Sequence, residues 1–453
     1  MTLYEKLKQH IIEGQYTKHQ QLPSKRKLSE HLSLSLTTIE HAYQILVDEG
    51  YIYAKPRSGY YVSDIESLPI AHQQSHLYPD GISCHEQKKK HTEDKPKYAF
   101  NLAEIDTEHF PISFFRKCLK DIPDDMQYTL LQHGDQQGIY ALRQEIAHYL
   151  FNSRGVVSHP NQIVVGSSTE QLIHILIDLL DDEGFIIEKP SYPPIQHVLQ
   201  KKKRAYDYVF VEEDGISLDS LKKANGHIVY VTPSHQFPTG NIMNLKKRTQ
   251  LLNWSYQERA RYIIEDDYDS EFRYTGKPIP PLQSLDREQK VIYMSTFSKS
   301  LFPSCRVAYM VLPYALVERY HKQPYKEANT VPVHMQHIVT TFMRTGKFER
   351  HLNKMRKIYK RKLNYILSRI EQYPKQLEIK DTATGMHFIL EVKNGKSIET
   401  CLKNAQKHSL VLTPYHQYDQ RYINEPVFIL GFGGIPESQL PQYMEALIQS
   451  VLV

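Results

Sequence analysis

Apolar residues recur at helical spacing through the first fifty positions. Leu3, Leu7 and Ile11 stand one turn apart and predict a helix from Leu3 to Glu13, stopped at Gly14. In LPSKRKLSEHL, Ser24 is placed to cap a second helix whose Leu28 and Leu32 face inward while Lys25, Arg26 and Lys27 crowd the first turn. Ser35 is placed to cap a third, in which Ile39, Ala42, Tyr43 and Leu46 recur at i, i+3, i+4 and i+7 before Gly50 ends it. YIYAKPRSGYYV then reads as a β-hairpin, two aromatic runs around Pro56, Arg57, Ser58 and Gly59.

The periodicity then disappears. Residues 66–97 are filled with His, Gln, Lys, Pro and Asp, including the run KKKH, and predict a linker between a small domain, 1–65, and a large one, 98–453. In the large domain short β-rich runs alternate with helical patterns: IVV before TEQLIHILIDLL, then FIIE, HIVYVT, RYIIEDD and VIYMSTFS. That alternation predicts an α/β domain with a mainly parallel sheet. A charged helix from about Gly346 to Gln372, with further short strands, adds a smaller α/β subdomain.

Composition narrows the class. A chain of 453 residues exceeds one ordinary core, and 40% hydrophobic with 24% charged residues is the balance of a soluble globular protein. The N-terminus is polar, and no apolar run approaches the roughly 18 residues that span a bilayer, so a cytoplasmic protein without membrane attachment is expected. Cys84, Cys118, Cys305 and Cys401 form no CxxC pair and read as free thiols. His334 and His337 stand one helical turn apart without a third ligand, so no metal is expected. GFGGIP near the C-terminus lacks the GxGxxG spacing of a dinucleotide site. A net charge of +5 is too mild to indicate nucleic acid by itself, so any DNA argument rests on pattern.

A helix-turn-helix lays its second helix in the major groove, where its solvent face must reach base edges and phosphates. Here that face offers Ser35, Thr37, Thr38, Glu40, His41 and Gln44, with Lys25, Arg26 and Arg57 placed to meet the backbone at the flanks. From pattern alone, three short helices and a hairpin also fit a protein-interaction unit. Residues 1–65, through LPSKRKLSEHLSLSLTTIEHAYQILVDEGYI, resemble the winged helix-turn-helix domain of GntR-type regulators, which implies double-stranded operator DNA as a partner. Such domains usually carry an Arg early in the recognition helix, where this chain has Leu36.

An aldehyde cofactor of the pyridoxal type needs a lysine for a Schiff base, an acid for the ring nitrogen, a phosphate cradle and a stacking face. STFSKSLFPSCR, just after the strand VIYM, supplies Lys299, the hydroxyls of Thr296 and Ser298, and the Arg306 guanidinium. RYIIEDDYDSEF ends a buried strand in a burst of acid, with Asp266 chosen for the ring nitrogen and Tyr268 for the phenolic oxygen. IVVGSSTEQL runs from strand to helix N-terminus, bringing Ser167, Ser168 and Thr169 to a phosphate, and Tyr192 in EKPSYPP is placed to stack.

In this order the signals resemble the fold-type I aminotransferases over most of residues 98–453. TPSHQFPTG, followed by IIEDDYDSEF and TFSKSLFP behind the N-terminal module, identifies the chain as similar to the MocR subfamily of GntR regulators. The resemblance implies pyridoxal 5′-phosphate on Lys299, Asp266 at the ring nitrogen, Tyr268 at O3′, Arg306 on the phosphate, Tyr192 stacked on the ring and Gln236 near it. It further implies a domain-swapped, head-to-tail homodimer that senses the cofactor, an amino compound, or both, without net catalysis. The alternative is an active aminotransferase carrying a DNA-binding module. One departure bears on the effector. Relatives that sense an amino acid hold its carboxylate with arginines after the stacking tyrosine and after a late GF dipeptide, whereas this chain reads Tyr192-Pro193-Pro194 and Gly431-Phe432-Gly433-Gly434. Arg421, in the loop before VFIL, is the candidate substitute.

Overall fold

Local capping writes the first element of the fold. Thr2 and Glu5 form a reciprocal capping box at the start of α1 (Leu3–Ile12). Ser24 accepts from the Lys27 N–H to open α2 (Lys25–Leu32), and Ser35 accepts from the Thr38 N–H to open α3 (Leu36–Asp48). The computed structural model describes residues 2–64, 97–122, 128, 130–180, 183–276, 279–324 and 326–453, and its contacts divide the chain into two units, 1–93 and 94–453. The predicted linker lies outside the described residues except for Lys97.

In the first unit β1 (Ile52–Lys55) and β2 (Gly59–Val62) pair as an antiparallel hairpin. Its turn needs Gly59, whose φ of +110° lies where a side chain is strained. Leu7, Ile11, Leu28, Ile39, Tyr43, Leu46, Ile52 and Val62 make the core, and the Tyr43 hydroxyl donates to the Pro23 carbonyl at 2.9 Å. Burying side chains such as Ile39 or Leu46 contributes roughly 1.5–3 kcal/mol each. Leu32, expected inside, is 40% exposed, because α2 lasts only eight residues and Ser33 turns into the left-handed region (φ 53°) before Leu32 can seat on α3.

The second unit holds β3 (Tyr98–Ala99), β4 (Ile163–Gly166), β5 (Phe185–Lys189), β6 (Tyr206–Glu212), β7 (Gly215–Ile216), β8 (Ile228–Val231), β9 (Tyr262–Asp266), β10 (Val291–Thr296), β11 (Ala308–Val311), β12 (Leu377–Lys380), β13 (His387–Val392), β14 (Leu410–Val411), β15 (Thr413–Pro414) and β16 (Val427–Gly431). Eight of these form one sheet in the order β4-β11-β10-β9-β8-β5-β6-β7. From β10 to β6 the pairings are parallel, whereas β11 runs antiparallel between β10 and β4, and β7 antiparallel at the far edge. Successive residues alternate between two cores, as the pleat requires. Ile187, Tyr230 and Ile264 pack with the helix Thr169–Leu179, while Ile186, Val229 and Ile263 pack with Leu251 and Trp254 of the helix Leu245–Tyr256. Helices on both faces explain why the strands read as continuous apolar runs.

A second, antiparallel sheet, β12-β13-β16-β15, lies with the helices Lys347–Ile370 and Leu440–Leu452, and β3 pairs with β14 beside it. Cys118, Cys305 and Cys401 are free and buried, and Cys84 lies outside the described residues. Among the described residues no helix is long and apolar enough to cross a membrane.

Candidate functional site

The topology collects one edge of the large sheet into a site. Strands β4, β8, β9 and β10 point the same way and end together at Gly166, Val231, Asp266 and Thr296, and antiparallel β11 begins at that edge just after Arg306. The carboxyl edge of an open α/β sheet is where ligands sit, because loops splay apart there and helix N-termini converge. A cavity of about 460 Å³ occupies this edge. Ser168, Thr169, Tyr192, Asp266, Tyr268, Thr296, Ser298, Lys299 and Arg306 all line it.

Two expected residues do not reach the cavity wall. Ser167 turns its N–H (2.7 Å) and hydroxyl (3.2 Å) to the Gln171 Oε1 inside the first helical turn. Gln236 is buried and bound into its own loop: its amide donates to the carbonyls of Pro190 (2.9 Å) and Phe237 (2.7 Å) and to Glu188, and its oxygen accepts from Thr239. It shapes the wall that Phe237 presents rather than facing the cavity.

Charge at the site is set by burial. Asp266 Oδ2 accepts from the Tyr230 hydroxyl, while its Oδ1 is buried with no partner among the described residues. Burial pushes this carboxyl up to about 7, with the Asp267 and Asp269 charges adding to it. Behind it Glu188, which accepts from the Thr232 hydroxyl at 2.7 Å, is raised by burial to about 7 as well. Burial lowers the pKa of Lys299, whose ammonium donates to the Leu102 carbonyl at 2.5 Å. A lysine made easier to deprotonate is a better nucleophile toward a carbonyl. Ser168 caps the helix Thr169–Leu179 by accepting from the Gln171 N–H, so that helix aims its N-terminus and dipole at the cavity. Arg306 stands beside it with a left-handed backbone, φ 48°. Tyr192 meets Phe237 edge-on, with ring centroids 5.7 Å apart.

Behind the cavity the structure assembles a cluster that local sequence does not signal. His235 is buried between two carboxylates, with Nδ1 2.9 Å from Asp269 and Nε2 2.9 Å from Asp381. Burial alone would lower its pKa, but the two carboxylates outweigh it and hold the imidazole well above its usual value. The Tyr268 hydroxyl lies 3.1 Å from His235 Nδ1, the nitrogen that Asp269 also holds, so the phenol on the cavity wall is packed against this buried charged group. His387 stacks on His235 with centroids 4.8 Å apart and is pushed down to about 4, first by burial and then by the charge on His235. Gly385 makes this packing possible: a Cβ there would stand against the His235 ring and Asp269. His235, Asp269 and His387 also lie close enough to share a cation, but both nitrogens of His235 are taken up by aspartates. His334 and His337 sit exposed and half-buried on a separate helix, Val333–Arg344.

In the first unit Thr37, Thr38, Glu40, His41 and Gln44 are all exposed on α3, as a reading face must be. Some are already engaged. The Ser35 and Thr38 hydroxyls lie 2.8 Å apart in the helix cap, and the Gln44 amide donates to Asp48 at 2.8 Å. Lys25 lies 3.3 Å from Glu40, whereas Arg26 and Arg57 are exposed, Arg57 with φ 59° at the hairpin tip. Arg421 is not on the cavity wall: it folds back on buried Asp419, at 3.0 Å from Nε and 2.6 Å from its terminal nitrogen.

Comparison with known proteins accounts for both units. Residues 1–62 match the gntR family of bacterial regulatory proteins, and residues 100–422 match aminotransferase class I and II. The uncharacterized HTH-type transcriptional regulator YdeL of Bacillus subtilis is 35% identical over 98% of this chain and 95% of its own length. The probable rhizopine catabolism regulatory protein MocR of Rhizobium meliloti is 29% identical over 99% of this chain and 93% of its own. Among solved structures, a Pyrococcus horikoshii kynurenine aminotransferase superposes with a TM-score of 0.69, covering 80% of this chain and 91% of its own; at 22% identity this speaks for the fold-type I architecture alone. The chain therefore belongs to the MocR-type GntR regulators, in which a DNA-binding helix-turn-helix domain is fused to an aminotransferase-like sensor domain.

Proposed function

We propose that the large domain binds pyridoxal 5′-phosphate and, through it, an amino compound, and that this binding regulates how the chain engages its operator. The observation that carries the reading is Asp266, whose buried, unpartnered Oδ1 on the cavity wall and raised pKa suit an acid waiting for a protonated ring nitrogen. Lys299 would hold the cofactor's carbonyl carbon, Tyr268 its phenolic oxygen, and Tyr192 one face of the ring. Arg306, Ser168, Thr169, Thr296 and Ser298 would hold the phosphate, with the helix dipole assisting. When bound, the group supplies an electrophilic carbon that amines attack and a ring that withdraws electrons. The chain acts in the cytoplasm as a homodimer in this reading, and the strongly exposed Tyr128, Leu131, Phe151 and Val157 offer apolar surface for the second copy.

For regulation, the amino compound must bind one arrangement of the protein better than another, since equal affinity shifts nothing. The test is the visible spectrum of the purified protein with pyridoxal 5′-phosphate, followed over time with amines and amino acids. A band that Lys299→Ala abolishes, and that one compound shifts to a lasting new species, supports the sensor. The same variant is expected to lose the effector response while its operator binding stays measurable; an unaltered response overturns the proposal. A bleached band with accumulating keto product would instead make the chain an aminotransferase.

A further inference from the structure

We propose that the cavity selects primary amines that carry no carboxylate, with an apolar or aromatic group on the amine's carbon chain. The inference rests on the cofactor reading above and names the ligand class of the same site.

Among the described residues the wall holds two side chains of fixed or readily acquired positive charge, Lys299 and Arg306, and both lie at the end that the cofactor would occupy. Once that end is filled, the surfaces left to a ligand's substituents are those of Tyr192, Pro194, Phe237, Met386 and Tyr418. His387 also lines the cavity, but its depressed pKa leaves it a neutral imidazole at physiological pH. Two guanidinium groups elsewhere in the unit are already committed: Arg154 lies 2.7 Å from Asp267, and Arg421 is closed on Asp419.

The local field points the same way. The buried group of His235, Asp269 and Asp381 sets one imidazolium between two carboxylates and so carries a net negative charge behind the wall. Glu170 adds another carboxylate to the lining. An amino acid's carboxylate entering this space would shed its hydration without a bidentate partner and would face repulsion, whereas an ammonium drawn to the site meets the opposite sign. A phenyl or alkyl group in the carboxylate's place meets aromatic faces and gains by burial. Exchange itself is neutral in redox terms. With the cofactor bound, the amine nitrogen would replace Lys299 Nζ on the same carbon, one carbon–nitrogen double bond would replace another, and the two protons given up by the incoming ammonium would pass to the released Lys299 amine.

The test uses the full chain loaded with pyridoxal 5′-phosphate and pairs of ligands that differ only in the carboxylate: phenethylamine against phenylalanine, and tyramine against tyrosine. The concentration giving half the spectral shift is measured for each, with thermal stabilisation as a second readout. The amine is expected to act at a concentration about tenfold or more below that of its amino acid, the size of effect that one unmet charged hydrogen bond produces. Equal or better response to the amino acids overturns the selectivity while leaving the cofactor reading intact. Failure to form any band dependent on Lys299 overturns both together. Pro194→Arg places a cation on the same wall and is expected to bring the amino acids' midpoint down about tenfold; an unaltered preference in that variant overturns the assignment of selectivity to the missing cation.

Discussion

The two units handle charge in opposite ways. On the small unit the residues expected to read a nucleic acid are exposed: Thr37, His41 and Gln44 on α3, Arg26 and Arg57 at its flanks. In the large unit Glu188, Glu265 and Asp266 are buried deeply enough that each carboxyl is pushed to about 7, in every case first by burial. A protein reading DNA benefits from hydrated, mobile cations, because its affinity comes from counterions released on contact. A site that holds a small polar ring needs groups desolvated and fixed in advance, so that binding costs no reorganisation. The first kind of site needs only an amphipathic helix. The second must be assembled from distant segments.

The strongest way to break this comparison is to remove the smaller core. Tyr43→Ala deletes a fully buried ring and its hydrogen bond to Pro23, costing roughly 3–5 kcal/mol. Operator binding should vanish in a mobility-shift assay while the cofactor band of the large domain survives, since the small core is made of its own residues. Loss of the band as well would mean that the two units are energetically one.

Asp266→Asn should weaken cofactor binding at least about tenfold, measured by spectral titration, because it removes the charge for the ring nitrogen. The same variant tests the pH behaviour of the cofactor-free chain. Asp266 has a folded pKa near 7 against a reference of 3.8, so the folded state binds more protons between those values and stability falls as pH rises through that window. Thermal unfolding should therefore decline less steeply with pH in the variant than in the parent. Parallel slopes would show that Asp266 is not the acid described here.

Smaller effects belong to the exposed unit. Thr37→Ala should cost about 1 kcal/mol of operator affinity and relax discrimination at one base position, read from binding to single-base operator variants. Arg57→Ala should weaken binding evenly across sequences and reduce the salt dependence by about one counterion. If Arg57 proved sequence-selective and Thr37 did not, their assigned roles would be exchanged.

Much of both sites was legible because their signals are local. Ser24 and Ser35 announce their helices by capping chemistry confined to four residues. Asp266, Thr296 and Lys299 lie at or just beyond the ends of apolar strands, and parallel topology alone brings such ends to one edge. Ser167 and Gln236 fell short for the same reason in reverse: a residue type at the right place in a motif does not reveal whether its hydrogen bonds are already spent, as these are on Gln171 and on the 190–239 loops. The His235 cluster left almost no sequence signal, since Asp381 joins it from 146 positions away. Only the buried His-Gln pair in TPSHQFPTG could have hinted at it.

Periodicity, capping residues and strand-end chemistry, all read from neighbours within a few positions, determined that this chain is a helix-turn-helix module followed by an aminotransferase-like α/β domain, and picked out Lys299 and Asp266, which the fold brings to one cavity wall. Tertiary structure alone decided the antiparallel insertion of β11 and the clamping of His235 between Asp269 and Asp381. Those depend on which distant groups share a desolvated space, and both the charge of a buried group and the ligand it admits follow from that sharing.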